Sequence, residues 1–310
     1  MSIFYRDLNH ERIQDRWLEW EGHRHEINLL ISRSLADGNE RNRAIVLGAG
    51  NCDDLDLHYF CDVFEQLTLV DIDALSLQEG VSRLAPELLG RIELLGSIDF
   101  TKLDQVNFYS RFNDLLQRKA LLSEISSFLT QIPSEIVRCS LLEPWKGRFS
   151  VVISSAVYTQ IFYIHVLTLL AVHASSYTTE EITVLIDGLK TLRDCMVKAY
   201  NDLMLYLLED DGTIIAWSDV VKFDEHSPFP EEQFYAINNE KERMQFMFDI
   251  ASKQGREAAL TGLHDLHGRL HSEDRQFACW IWPYSSNRHY ITFGISGKIV
   301  KGHPRYIAFK

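Results

Sequence analysis

The chain has 310 residues, with 31 basic and 44 acidic side chains and a formal net charge of −13. Its length allows a substantial core, and 46% apolar with 24% charged residues is a globular balance that excludes a disordered or collagenous chain. The acidic excess repels phosphate backbones, and the densest basic stretch runs only from Arg41 to Arg43, so nucleic acid is not an expected partner.

In chain order, Leu8 to Ala36 has a helical period, with Ile13, Trp17, Trp20, Ile27, Leu30 and Ile31 at three- and four-residue intervals and Gly38 as the C-cap. Ala44 to Gly48 is a continuous apolar run ending in glycine, which predicts a buried parallel strand. Asp53 to Phe64 then predicts a helix, Leu67 to Asp71 a strand, Leu75 to Leu88 a helix and Arg91 to Leu95 a third strand. This alternation argues for a doubly wound sheet. Thr101 to Arg148 is too long for a minimal crossover and predicts a helical insertion. Phe149 to Ser154 is a fourth strand, followed by helices over Val157 to His173 and Glu180 to Glu209. Thr178-Thr179-Glu180-Glu181 is the start signal of the second. Asp211-Gly212 turns into a fifth strand, Thr213 to Trp217, and Ser218 to Pro230 reads as a loop. Glu231 to Gln254 and Arg256 to Leu270 predict helices. Gln276 to Trp282 and His289 to Phe293 predict a β-hairpin, with a last extended piece at Arg305 to Phe309. The expected organisation is a helical extension over 1–40 and one catalytic domain over 41–310, carrying an insertion at about 101–148.

Five cysteines at scattered spacing, with no CxxC pair, suit a reducing compartment. The first residues have no apolar core flanked by basic ones, and the longest apolar run, Ile161 to Val172, is broken by His165. A cytoplasmic protein without a membrane partner is expected.

The chemistry concentrates in Val46-Leu47-Gly48-Ala49-Gly50-Asn51-Cys52-Asp53-Asp54, between the first strand and first helix. Two glycines permit a sharp turn and a close approach of ligand to backbone. A pyrophosphate site would want a third small residue where Asp53 stands, and Asp53 and Asp54 are poor neighbours for phosphate. The pair suits a ligand with positive charge: it can accept from an amino group or offset a sulfonium. About twenty residues on, Val70-Asp71-Ile72-Asp73 ends the second strand with a carboxylate suited to two ribose hydroxyls. After the third strand, Gly96-Ser97-Ile98-Asp99-Phe100 offers another at the same sheet edge, with Ser97 and Asp104 as alternatives to Asp99.

Gly48-Ala49-Gly50, Asp71, Asp99 and the terminal hairpin together resemble the class I S-adenosylmethionine-dependent methyltransferases, over Ala44 to the C-terminus apart from the insertion. The resemblance implies an α/β, doubly wound, Rossmann-like sheet of seven strands, mostly parallel with a C-terminal antiparallel hairpin. It implies S-adenosyl-L-methionine as cofactor. Gly48, Ala49, Gly50 and Asn51 would border the methionine moiety, Asp71 and Ile72 the ribose, and Asp99 and Phe100 the adenine. Ser154 and Ser155 would lie near the transferring methyl.

Other residues have two readings each. His226, after the fifth strand with Asp219 and Asp224, is a candidate general base or a surface histidine. Tyr158 and Gln160, after the fourth strand, are candidates to hold the acceptor, or they open a helix with Tyr158 as a core tyrosine. His264, His267 and His271 share a helical face and suit either a metal or plain solvation; no metal site is assigned. Trp17 and Trp20, with Tyr5 and His10, form a lid or the apolar face of a packed helix. Trp280 and Trp282 share one strand face and suit packing on a helix, and Cys52, inside the turn, is a reactive thiol or a small packing residue.

The expected activity is methyl transfer to an oxygen or nitrogen of a small or medium-sized acceptor, a small molecule or peptide, by direct displacement. No Asn/Asp-Pro-Pro-Tyr/Phe motif follows the fourth strand, which argues against methylation of nucleic-acid amino groups. The alternatives are an inactive methyltransferase-like binding or scaffold protein, and an aminopropyl-type transferase, for which Ser154-Ser155 lacks an acidic pair. The sequence leaves the oligomeric state open.

Overall fold

The structure is a computed structural model that describes residues 16–36, 42–136 and 141–299. The expectations for Tyr5, His10, Ile13, Gly38, Arg41, Cys139 and Arg305 to Phe309 lie outside the described residues.

The strands are β1 (Arg43–Leu47), β2 (Gln66–Val70), β3 (Ile92–Leu95), β4 (Phe149–Ser155), β5 (Leu208–Asp224), β6 (Gln276–Ser285) and β7 (Arg288–Lys298). They form one sheet in the order β3-β2-β1-β4-β5-β7-β6. β1 to β5 pair in parallel, and β7 runs antiparallel to both β5 and β6. The seven-stranded sheet with its C-terminal hairpin is the one expected from the sequence.

The described α-helices are α1 (Arg16–Glu19), α2 (Glu21–Ser34), α3 (Leu57–Val63), α4 (Ala74–Val81), α5 (Pro86–Leu89), α6 (Phe108–Gln117), α7 (Leu122–Ile136), α8 (Tyr163–His173), α9 (Thr179–Leu207), α10 (Glu231–Ala236), α11 (Glu240–Gln254) and α12 (Glu257–Arg269). None is long and apolar enough to cross a membrane. Successive strand side chains point to opposite faces, so the continuous apolar strands feed two cores. On one face Ile45, Val152 and Ile214 pack with apolar residues of α6 to α9 and α12. On the other, Val46, Val151 and Ile153 pack with α2, α3 and α4. The insertion helices α6 and α7 belong to the first core, through Phe108, Phe112, Phe128 and Ile132.

Several boundaries differ from the sequence reading, each for a local reason. The first crossover helix begins at Leu57, not Asp53, because Asp56 caps it by accepting from the Tyr59 N–H. Pro86 opens a separate short helix, α5, and so splits the Leu75 to Leu88 segment. Asn239 caps α11 and divides the Glu231 to Gln254 helix in two. Ser218 to Asp224 is strand, not loop, because β7 supplies a partner over Arg288 to Phe293. The Thr178–Glu181 capping box forms as the sequence signals, and α9 then runs 29 residues directly into β5.

Asn201 of α9 ties the first core together. It is fully buried, accepts from the Tyr158 hydroxyl at 2.7 Å, and donates to the Gly262 carbonyl at 3.0 Å and to Asp265 at 2.8 Å. Asn201→Ala takes this partner from the buried Tyr158 hydroxyl and the Gly262 carbonyl and is expected to cost about 2–4 kcal/mol, read as a lower midpoint in urea denaturation.

Candidate functional site

A cavity opens at the C-terminal edge of β1, β2, β3 and β4, and encloses about 1030 Å³ when its open mouth is counted. It sits where the strand order reverses, between β1 and β4, the place where open α/β sheets bind ligands. Gly48, Ala49, Gly50, Asn51, Asp71, Ile72, Asp99, Phe100 and Ser155 all line it. Arg16, Trp20, Asp54, Thr101, Gln160, Phe162, Trp282 and Tyr284 complete much of the wall.

The turn after β1 is tight. Gly48 and Gly50 have φ of 79° and 52°, and the Gly48 and Ala49 N–H groups both donate to the Val70 carbonyl, at 2.9 and 3.2 Å. Asp71 then fastens the turn: one carboxylate oxygen accepts from the Gly50 N–H at 2.8 Å, the other from the Asp73 N–H at 2.9 Å. The two glycines differ. A Cβ on Gly48 would meet Val157 Cγ2 at 2.4 Å and the Ser155 carbonyl at 2.9 Å, whereas one on Gly50 would meet nothing within 4 Å. Gly48 is therefore needed for packing, and Gly50 leaves open space at the cavity wall.

The three carboxylates of the lining are not equivalent. Asp99 is engaged by its own loop: one oxygen takes the Thr101 N–H at 2.9 Å and hydroxyl at 2.6 Å, the other the Asp104 N–H at 3.1 Å. Asp71 is engaged by the glycine turn. Asp54 accepts from a side chain, the Ser155 hydroxyl, at 2.7 Å. Burial raises all three acids above the ordinary carboxylate range, and Asp54 reaches about 6 despite the Ser155 hydrogen bond. Among the described lining residues these three acids face one guanidinium, that of Arg16.

The N-terminal helices close one side. Trp20 lies edge-on to Trp282 at 4.9 Å, and His23 stacks on Trp282 at 4.2 Å. His23 Nδ1 accepts from Trp280 Nε1 at 2.8 Å, and burial, assisted by Arg24, holds its pKa well below the usual value. The Arg16 guanidinium lies 5.2 Å from the Trp20 ring centroid and 5.6 Å from that of Tyr284. Arg24 of α2 donates to the Asp53 carbonyl at 2.8 Å and to the Trp17 carbonyl, so the helix is fastened to the glycine turn. Trp17 itself is exposed under Arg24.

Three candidate residues are not brought to the cavity. Ser154 alternates with Ser155 along β4 and faces the opposite core, where it accepts from the Tyr200 hydroxyl at 2.9 Å. Tyr158 lies fully buried because Ala156 and Phe162 adopt positive φ and keep 156–162 a loop rather than the start of a helix. Its hydroxyl is given to Asn201. His226 sits in the turn beyond the far end of β5, with its N–H on Asp224, because β5 continues seven residues past Trp217. The roles expected of Tyr158 and His226 at the reacting atoms are therefore withdrawn. Cys52 is fully buried in the turn, and burial pushes its thiol well up. His264 and His267 belong to α12 and His271 lies beyond its end; the His267 ring meets the Arg275 guanidinium at 2.9 Å.

Sequence reasoning did not single out Arg16, Trp282, Tyr284 or Thr101 as cavity residues. The aromatic ones carry the signal of ordinary apolar faces, and only the docking of α1 and α2 on the hairpin turns them into a wall.

No protein-family model matches the chain, and no curated protein sequence does either. Similar solved structures include the N-methyltransferase NodS from Bradyrhizobium japonicum WM9 in complex with S-adenosyl-L-homocysteine, at 10% identity and a TM-score of 0.43, covering 91% of this chain and 88% of that one. Geranyl diphosphate methyltransferase in complex with SAM is similar at 10% identity and a TM-score of 0.40, over 90% of this chain and 85% of that one. A putative methyltransferase from Bacillus halodurans C-125 is similar at 7% identity and a TM-score of 0.40, over 87% and 97%. At such distances the fold rests on the sheet itself, in which β7 alone runs against six strands in the order β3-β2-β1-β4-β5-β7-β6. The fold is that of the class I methyltransferases.

Two tests of the cavity follow. Gly48→Ala is expected to lose about 2–4 kcal/mol of stability through the clash and the left-handed φ, while Gly50→Ala loses about 1 kcal/mol, both read by urea denaturation. Asp54→Asn is expected to stabilise the ligand-free protein at pH 7.5. The sign follows from linkage: a raised carboxylate holds its proton in the folded state and loses it in the unfolded one, so stability falls as pH rises from about 4 to 6. The variant escapes that loss, so its advantage should be near zero at pH 4 and about 1–3 kcal/mol at pH 7.5.

Proposed function

We propose that the cavity binds S-adenosyl-L-methionine and that the protein transfers its methyl group to an oxygen or nitrogen of a small or medium-sized acceptor. The observation that carries this reading is the pairing of a bare glycine turn with three lining carboxylates against one guanidinium. Such a wall repels a pyrophosphate and attracts a cation. The open space at Gly50 fits a ligand pressed against the backbone. The methyltransferase fold and the named ligands of NodS and geranyl diphosphate methyltransferase agree with it.

In this reading the methionine moiety borders Gly48, Ala49, Gly50 and Asn51. Asp71 and Ile72 meet the ribose, since a carboxylate that accepts one N–H at each oxygen keeps further lone pairs for hydroxyls. Phe100 and Asp99 border the base. When bound, the cofactor supplies an electrophilic methyl on a sulfonium. The chain's own task is to orient and to exclude water. Phe100, Phe162, Trp20, Trp282 and Tyr284 give the cavity an aromatic wall suited to the apolar body of an acceptor.

Calorimetric titration with S-adenosylmethionine, S-adenosylhomocysteine and NAD is the direct test. Micromolar binding of the first two without NAD is expected. Binding of none would favour a scaffold, and NAD alone would overturn the reading of the turn. Asp71→Ala should weaken the first two by roughly 1–3 kcal/mol, with circular dichroism confirming the fold. Unchanged affinity would remove Asp71 from the site.

A further inference from the structure

We infer that the Asp54–Ser155 pair is a charge-selective subsite that favours the cationic sulfonium of S-adenosylmethionine over the neutral thioether of its product. The inference rests on the cofactor reading above and adds to it a residue that distinguishes donor from product.

The geometry isolates Asp54 among the acids of the cavity. The Asp71 oxygens accept from the Gly50 and Asp73 N–H groups, and Asp99 is spanned by Thr101 and Asp104. Those two carboxylates shape loops. Asp54 lies in the turn that follows Gly50 and reaches across to Ser155 at the end of β4, so both residues of the pair line the same wall. Its neighbour Asp53 points elsewhere: Arg83, just beyond the end of α4, takes its carboxylate at 2.8 Å. The adjacent acids are thus divided between a structural ion pair and the cavity.

The electrostatics give the pair a use. Burial is the largest influence on Asp54 and favours its neutral form; the Ser155 hydroxyl, its own backbone N–H and the charge of Arg24 on α2 oppose this, and Asp53 reinforces it. Asp71, the residue after β2, and Arg16 of α1 line the same cavity and add one charge of each sign. The balance leaves the acid titrating near pH 6, where a small change in local charge decides its state. Donor and product carry the same amino and carboxylate groups and differ by the one positive charge at sulfur. A cation seated beside Asp54 expels its proton, and a neutral sulfur does not. Reciprocally, the ionised carboxylate binds the donor more tightly than the product. Once the methyl has left, the charge that held the ligand is gone, which favours product release.

The test counts protons rather than turnovers. Calorimetry at pH 6 in two buffers of different ionisation enthalpy gives the protons released on binding. Donor binding should release about 0.5 proton more than S-adenosylhomocysteine binding, because the acid is half protonated at its midpoint. Sinefungin, whose amine replaces the sulfonium, should behave as the donor does. The affinity ratio of donor to product should rise on the order of tenfold from pH 5 to pH 7.5. Asp54→Asn should abolish both differences. Ser155→Ala removes the hydrogen bond that favours the charged form and should move the proton release to higher pH. Equal proton counts for donor and product in the unaltered protein would overturn the inference while leaving the cofactor reading intact. Failure of both nucleosides to bind would overturn the two together.

Discussion

The Asp71 carboxylate is the constraint on which the site depends. It terminates β2 and accepts the Gly50 N–H of the turn after β1 and the Asp73 N–H of the turn that opens α4. A single side chain thereby sets the spacing of two crossover connections. The glycine turn adopts left-handed backbone angles that would otherwise leave the Gly50 N–H pointing into a cavity without a partner. Because Asp71 supplies that partner, the turn is ordered before any ligand arrives. The arrangement costs the acid its solvation, and the raised pKa of Asp71 is the visible part of that cost.

The same logic extends to the rest of the wall. Three acids share a partly closed space, and burial raises each of them. Backbone N–H donors compensate Asp71, and the Thr101 hydroxyl with two backbone N–H groups compensates Asp99, so both also hold loops. Asp54 accepts the Ser155 hydroxyl, yet burial still raises it to about 6. A cavity in this state is less stable than a neutral one would be and is biased toward a cation. Stability and ligand preference are set here by the same group.

The second core keeps the wall in place. α2 docks on the hairpin through Trp20, His23, Trp280 and Trp282, and His23 is held neutral so that it can accept from Trp280. Arg24 then connects the same helix to the Asp53 carbonyl inside the glycine turn. One helix thus touches both the last hairpin and the first crossover, which are far apart in the chain. The insertion helices have the matching role on the other face, where Phe108, Phe112 and Phe128 extend the first core toward Phe162.

How much of this was legible in the sequence follows from the range of the interactions. The strands and their order of appearance are written in continuous apolar runs, because a parallel strand is buried on both faces and needs no tertiary context to be recognised. Asp71 was legible for a similar reason: its distance from Gly50 is set by one helix and one strand. For Tyr158 and His226 the second of the two readings holds, a core tyrosine and a surface histidine, and the choice between readings depends on distant events. Two positive-φ residues keep Tyr158 in a loop aimed at Asn201, and pairing with β7 prolongs β5 and carries His226 away. Ser154 and Ser155 could be separated by strand alternation alone. Asp53 and Asp54 could not. They are adjacent and identical in type, yet Arg83, thirty residues on, takes one, and Ser155, from another strand, takes the other. Local pattern determines which residues reach the sheet edge. Which of them keeps a titratable charge facing the cavity is decided by partners that only the assembled fold brings close.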